Sequence, residues 1–247
     1  MPRLPAGQTA APLRRFGLPV FAAVRPNIPA RPTVTVTGAV RHPTQLEVVD
    51  LLTAGRVDRV ADLHCVTTWT ATGLHWSGVR FADVHQWLTS LVDLHPAVAW
   101  VTFSGLDGYR SCLRLDDALG ALLVDRLGDA PLPAAHGAPL RLVAPAHYGY
   151  KSVKHLYAIE YRRAYDPGSA GWSAHRRGRV AYEERSPLLP GWVWRQVWRR
   201  TQPAVRRRYA AQQPSASYRA EEPTQRVAPP AGLEPATCCL EDSCSIR

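Results

Sequence analysis

The chain has 247 residues, 46% of them apolar, enough for one domain with a sizeable core and a tail. Its net charge of +10 rests almost wholly on arginine, Lys151 and Lys154 being the only lysines, so the charge argues only weakly for nucleic acid as a partner. Three of the five cysteines (Cys238, Cys239, Cys244) crowd the C-terminus and two (Cys65, Cys112) lie in the body, which excludes a small disulfide-stapled fold and suits a reducing compartment.

Residues 1–32 are rich in proline and lack periodicity; they read as an extended lead-in. Within them Arg14-Arg15-Phe16 resembles a twin-arginine export signal. The apolar run after it, LPVFAAV, is short, contains Pro19 and lacks a small-residue cleavage pattern, so a cytoplasmic location is expected over export. No run approaches the roughly 20 apolar residues of a membrane helix.

From Thr33, TVTVTGAV alternates β-branched and small residues, a strand ending near Gly38. A turn follows at His42-Pro43. RVADLHCVTTW reads as a strand with Cys65 at its C-terminal end, opening a polar loop, TTWTATG. VRFADVHQWLTSLV spaces Val79, Val84, Trp87, Leu88 and Leu91 as a helix would. PAVAWVTFSG is strand-like and runs into the loop LDGYRS. LRLDDALGALLVDRLG is expected to be a helix with early acidic residues and Gly128 as its stop. APLRLVAPAHYG is a strand bracketed by prolines, and KSVKHLYAIEYRRAY is of mixed character. The expected fold is an α+β body of predominantly β character over residues 33–165.

Residues 166–212 form an arm in which arginines interleave with tryptophans, as in GWVWRQVWRR. Packing of the tryptophans on the body with the arginines solvated is the favoured reading. The alternative is a basic aromatic surface for a nucleic acid, an anionic membrane or an acidic partner. Residues 213–247 are expected to be disordered, because Cys238 and Cys239 are adjacent and no histidine stands near enough for a zinc site.

Cys65 has two readings. A lone cysteine in an apolar strand is most often inert packing. Here it ends a strand with His64 and His75 nearby, which would suit a thiolate with a partner: a Cys–His nucleophile, or one soft ligand to a metal whose other ligands come from a cofactor. Downstream, His136, Arg141, Lys151, Ser152 and Lys154 fall within nineteen residues. A phosphate-bearing ligand uses such a mixture, and a solvated basic strand edge is the alternative. Cys112 is read as core.

LHCVTTWTATGLHWSGVRFADV together with HGAPLRLVAPAHYGYKSVKHLYAIE resembles the molybdopterin-binding domain of the sulfite oxidase family. The resemblance runs from about Thr33 to Tyr161, and RGRVAYEERSPLLPGW further on also resembles family tails. The likeness is closer to the small bacterial branch that includes the methionine-sulfoxide reductase catalytic subunit. It implies a molybdenum–molybdopterin cofactor, the metal held by the pterin's dithiolene sulfurs and by Cys65. It further implies that Ser104 lines the site, that His136 and Arg141 meet the phosphate end of the pterin, and that Ser152, Val153 and Lys154 wrap that phosphate. Asp107 and Tyr109 in LDGYRS are candidates for positions near the metal, with ordinary turn residues as the plainer reading. The resemblance implies an enzyme: an oxidoreductase moving an oxygen atom to or from a small molecule such as an S- or N-oxide. A separate haem or flavin protein would supply electrons.

The chain departs from the family in lacking the arginine-bearing loop after the cysteine, which argues against sulfite. The lack of a clear twin-arginine signal argues against periplasmic methionine-sulfoxide repair, and no room is expected for an immunoglobulin-like dimerisation domain. The rival from another class is a non-catalytic binding protein that keeps the fold and uses the basic arm as its surface.

Overall fold

In TVTVTG the two valines are fully buried and the threonines between them half-buried, so the period-2 pattern becomes a strand with one face in the core. The computed structural model describes residues 4–13, 19–22 and 24–211. In chain order these form β1 (Thr9–Ala10), the turn α1 (Pro19–Ala22), β2 (Thr33–Gly38), β3 (Thr44–Glu47), the turn α2 (Val48–Leu51), β4 (Arg56–His64), β5 (Trp69–Arg80), α3 (Phe81–Val92), β6 (Trp100–Gly105), β7 (Arg110–Arg114), the turn α4 (Leu115–Ala118), β8 (Leu122–Leu127), β9 (Ala130–Pro131), β10 (Arg141–Val143), β11 (Leu156–Arg162) and α5 (Gly191–Ala211). All the described residues fall within one compact unit, residues 1–213.

The strands make two sheets. One runs β1-β5-β8-β10, with β4 added on β5 and β9 on β8; the other runs β3-β2-β11-β6-β7. Two pairs are parallel, β1 with β5 and β11 with β2, and the rest antiparallel. Val34, Val101, Phe103, Ile159 and Tyr161 of the second sheet share one core with Val79, Leu123 and Leu142 of the first. Helix α3 closes that core with Phe81, Val84, Leu88 and Val92. Each such side chain contributes about 1.5–3 kcal/mol by leaving water. Trp87 and Leu91, counted from spacing as part of the apolar face, stay 36% and 42% exposed.

Three expectations change. The helix expected over LRLDDALGALLVDRLG is only the single turn α4; from Leu122 the chain is β8, a central strand between β5 and β10. Ala121 to Val124 are buried consecutively, and a short continuous apolar run between Gly120 and Gly128 is what a strand covered on both faces requires. TTWTATG is not a loop: β5 begins at Trp69, and the bend after Cys65 spans only residues 65–68. The lead-in contributes β1, whose Thr9 and Ala10 lie in register with Trp69 and Thr70.

In the arm, Trp194 and Trp198 are half-buried with ring centroids 6.2 Å apart, whereas Trp192 is 61% exposed and Arg199, Arg200 and Arg207 face solvent. Among the described residues, no helix is long and apolar enough to cross a membrane. The expectations for Arg14-Arg15-Phe16 and for residues 213–247 lie outside the described residues.

Candidate functional site

Cys65 is the first residue past β4. Its N–H donates to Trp69 O at 2.8 Å and its carbonyl accepts from Thr68 N at 3.3 Å, which folds residues 65–69 into a tight bend. Thr68 takes φ +72° there, a left-handed conformation that threonine adopts only under constraint. The Cys65 Sγ lies 3.0 Å from Thr67 Oγ1, and the residue is 6% exposed. Gln8 Nε2 donates to Cys65 O at 3.1 Å, and Arg185 Nη1 donates to Val66 O at 2.6 Å. Burial pushes the Cys65 thiol up; Thr67 and the Arg185 charge act in the opposite direction. Unaided, this sulfur is a thiol, and a coordinated metal would take its proton.

Among the described residues, neither nearby histidine hydrogen-bonds to the Cys65 sulfur. His64 is buried with Nδ1 2.9 Å from Thr70 Oγ1, and burial lowers its pKa. His75 is exposed on β5, opposite Val60. Among the described residues, no group of three or more His, Cys, Asp and Glu could hold a metal ion. A metal at Cys65 would therefore draw its remaining ligands from a bound organic group.

The cationic segment gathers around a single 3-10 turn, Ala134–His136. Arg141 Nη1 donates to His136 O at 2.9 Å, and Lys154 Nζ donates to Ala135 O at 3.0 Å. Gly137, at φ +110°, ends the turn; a Cβ there would stand 3.0 Å from Lys154 Cα, so only glycine lets the two backbones approach. Arg141 is 2% exposed, its guanidinium carbon 5.3 Å from the centre of the Trp76 ring. Its Nε is buried without a hydrogen-bond partner, and no carboxylate among the described residues pairs with it. Burial pulls its pKa down to about 10. A buried guanidinium without a counter-charge is costly unless an anion completes it.

The other expected residues divide. Ser152 is buried, and its Oγ accepts from Ala144 N at 3.2 Å while keeping its O–H to donate. Val153 exchanges both backbone hydrogen bonds with Leu142 and its side chain is core, so it shapes the wall and offers no donor. Ser104 sits on β6 between Ala158 and Arg110, in the other sheet from Cys65; the next residue, Gly105, packs against the Lys154 backbone. Ser104 thus lies one residue from the contact that brings β6 to the cationic segment. Asp107 Oδ1 accepts from Tyr109 N at 3.0 Å, and Tyr109 OH donates to Tyr150 O at 2.7 Å, so both serve the turn and the core.

Lys151 turns away from this group: its buried Nζ donates to Cys112 O at 2.7 Å and Arg176 O at 2.6 Å. Burial brings its pKa down to about 8. Cys112 is a free, buried thiol on β7. Two residues assigned no role from the sequence reach the cysteine bend, Gln8 and Arg185. Nothing in their spacing marks them, because each arrives from 57 or more positions away. The two halves of the site are joined by a parallel bridge between His64 and Tyr148.

Residues 22–170 match the family model described as the oxidoreductase molybdopterin binding domain. An uncharacterised oxidoreductase of Bacillus subtilis, YuiH, is 33% identical over 135 residues, covering 54% of this chain and 66% of that protein. The protein-methionine-sulfoxide reductase catalytic subunit MsrP of Gluconobacter oxydans is 33% identical over 145 residues, covering 51% of this chain and 46% of that protein. The chain thus spans about half to two thirds of the length of these relatives. The crystal structure of the sulfane dehydrogenase SoxCD from Paracoccus pantotrophus aligns with TM-score 0.50 at 17% identity, over 60% of this chain and 44% of that one, a likeness of fold.

Proposed function

The chain belongs to the oxidoreductase molybdopterin-binding family, and on that premise we propose that it transfers an oxygen atom to or from a small S- or N-oxide, with electrons from a separate haem or flavin protein. It is a molybdenum–molybdopterin enzyme. When bound, the cofactor supplies two-electron redox chemistry at a metal with an exchangeable oxygen.

The chain's own residues fit that group. Cys65 offers a soft, buried sulfur held at a fixed point by the bend, and the Thr67 hydroxyl 3.0 Å away can donate to it once it is a thiolate. Arg141 offers an uncompensated guanidinium for a phosphate, with Ser152 as a neutral donor beside it and Lys154 fixing the turn that carries His136. Trp76 beneath Arg141 keeps water from that end. The observation that carries this reading is the buried Arg141, whose Nε and charge find no partner among the described residues. The family relative named for methionine-sulfoxide reduction favours a sulfoxide within the substrate class.

The test is turnover of protein made in a molybdenum-replete host, assayed with a reduced artificial donor and a panel of sulfoxides and N-oxides. Wild type should reduce members of one class, and Cys65→Ser should lose that activity together with its thiolate-to-metal absorption. Full turnover by Cys65→Ser would remove the ligand role.

A further inference from the structure

Residues 175–185 lie beyond the family match, yet they are bound to the site at several points. Tyr148 N donates to Gly178 O at 2.9 Å and Val180 N to Ala146 O at 3.0 Å, while His147 and Arg179 form an antiparallel bridge. Gly178 takes φ +68°, and a Cβ there would overlap Tyr150 Oη, so only glycine fits this crossing. Arg177 grips Asp117 with two donors, at 2.7 and 2.5 Å. Arg179 does the same to Glu184 at 3.0 and 2.7 Å. The segment is therefore fixed along its length, and it delivers Arg185 to the cysteine bend.

Arg185 is 2% exposed. One arm donates to Val66 O at 2.6 Å and the other to Ala6 O at 3.4 Å, while its guanidinium carbon lies 5.0 Å from the centre of the Tyr148 ring. It thus ties the cysteine bend to the lead-in and to residue 148. Its nearest carboxylate, Glu183, is 3.9 Å away and is shared with Arg195 at 3.5 Å. Two guanidinium groups on one carboxylate leave one positive charge over. The Arg185 Nε is buried with no hydrogen-bond partner. A charge kept there, at the cost of desolvation, fits an electron-rich sulfur on Cys65, the residue before the carbonyl it holds, better than it fits a thiol.

We propose that Arg185 is a positioning residue for the Cys65 metal ligand, holding the Val66 peptide in place and setting a fixed positive charge beside the sulfur, so that residues 175–185 form part of the metal site. This rests on the reading of Cys65 as the ligand. A neighbouring positive charge stabilises the electrons of a thiolate, so its removal makes thiolate-to-metal charge transfer easier. Outer groups of this kind typically change metal retention about 10- to 100-fold.

The experiment compares holoenzyme of wild type, Arg185→Gln, Arg185→Lys, Arg177→Gln and Cys65→Ser for molybdenum per chain after extended dialysis, for the thiolate-to-metal absorption band, and for thermal stability. Arg185→Gln should lose molybdenum about 10- to 100-fold faster and show the band moved to longer wavelength. Arg185→Lys should return the band towards its wild-type position, which also covers the case of Arg185→Gln failing to fold. Arg177→Gln loosens the same segment without touching the bend, and should lower the melting temperature with the band unmoved. Wild-type retention and band in Arg185→Gln, or equal band shifts in Arg177→Gln and Arg185→Gln, overturn this proposal and leave the ligand reading intact. Wild type without molybdenum, or Cys65→Ser with an unchanged band, overturns both.

Discussion

Arg141 separates the requirements of folding from those of binding. Among the described residues, this guanidinium meets one carbonyl and one aromatic face, and no carboxylate. Replacing a buried, uncompensated charge by an apolar chain of similar length removes a desolvation cost. Arg141→Met should therefore raise the stability of cofactor-free protein by about 1–3 kcal/mol, measured by urea unfolding, while abolishing stable cofactor retention. A destabilised cofactor-free variant would mean that the arginine serves the core. This residue was legible in the sequence because PLRLV carries a charge in an apolar run and resembles a family motif. Arg185 was not, since its role depends on a chain crossing that local spacing does not encode. Val153 was read from the same motif as Lys154, yet its backbone groups go to Leu142 and its contribution is a wall.

Among the elements, those with a clear period were legible. The alternation in β2 appears as expected, and the helix read from Val79 appears as α3 from Phe81, with Val79 on β5 instead; α3 buries Phe81, Val84, Leu88 and Val92 and not Trp87 or Leu91. β8 failed the same reading because a strand buried on both faces has no polar side to alternate with, and its leucines can be fitted to either period. The difference is measurable. Leu123→Ala in β8, where the side chain is fully buried, should cost about 2–5 kcal/mol. Leu91→Ala, 42% exposed on α3, should stay within about 1 kcal/mol of wild type. Equal costs would contradict the placement of either residue. β1 could not be read at all: two residues of a proline-rich stretch become a strand only because β5 offers them an edge.

For the whole molecule, histidines that are wholly or partly buried make stability depend on pH. Burial holds His85, His147, His155 and His175 below the ordinary histidine value near 6.5. Just under that value the unfolded chain binds more protons than the folded one, so stability falls as pH is lowered. The melting temperature of cofactor-free protein should drop by a few degrees between pH 7 and pH 5, and an unchanged or higher value at pH 5 would contradict the burial of these rings. Asp117 and Glu184 behave in the same sense at more acid pH. Burial raises each carboxyl, but Arg177 and Arg179 outweigh it, so the stability these pairs add is lost as pH falls through their lowered values. The hold on residues 175–185 is accordingly an acid-labile one.

One sulfur at a strand end and one unanswered guanidinium are of use together only if a single group spans them. The most direct measurement is therefore molybdenum and pterin per chain in purified protein from a molybdenum-replete host, for wild type, Cys65→Ser and Arg141→Met. The account predicts about one of each per wild-type chain, pterin with little or altered metal in Cys65→Ser, and neither retained in Arg141→Met. Folded wild-type protein free of both, or equal loading in all three, would contradict it.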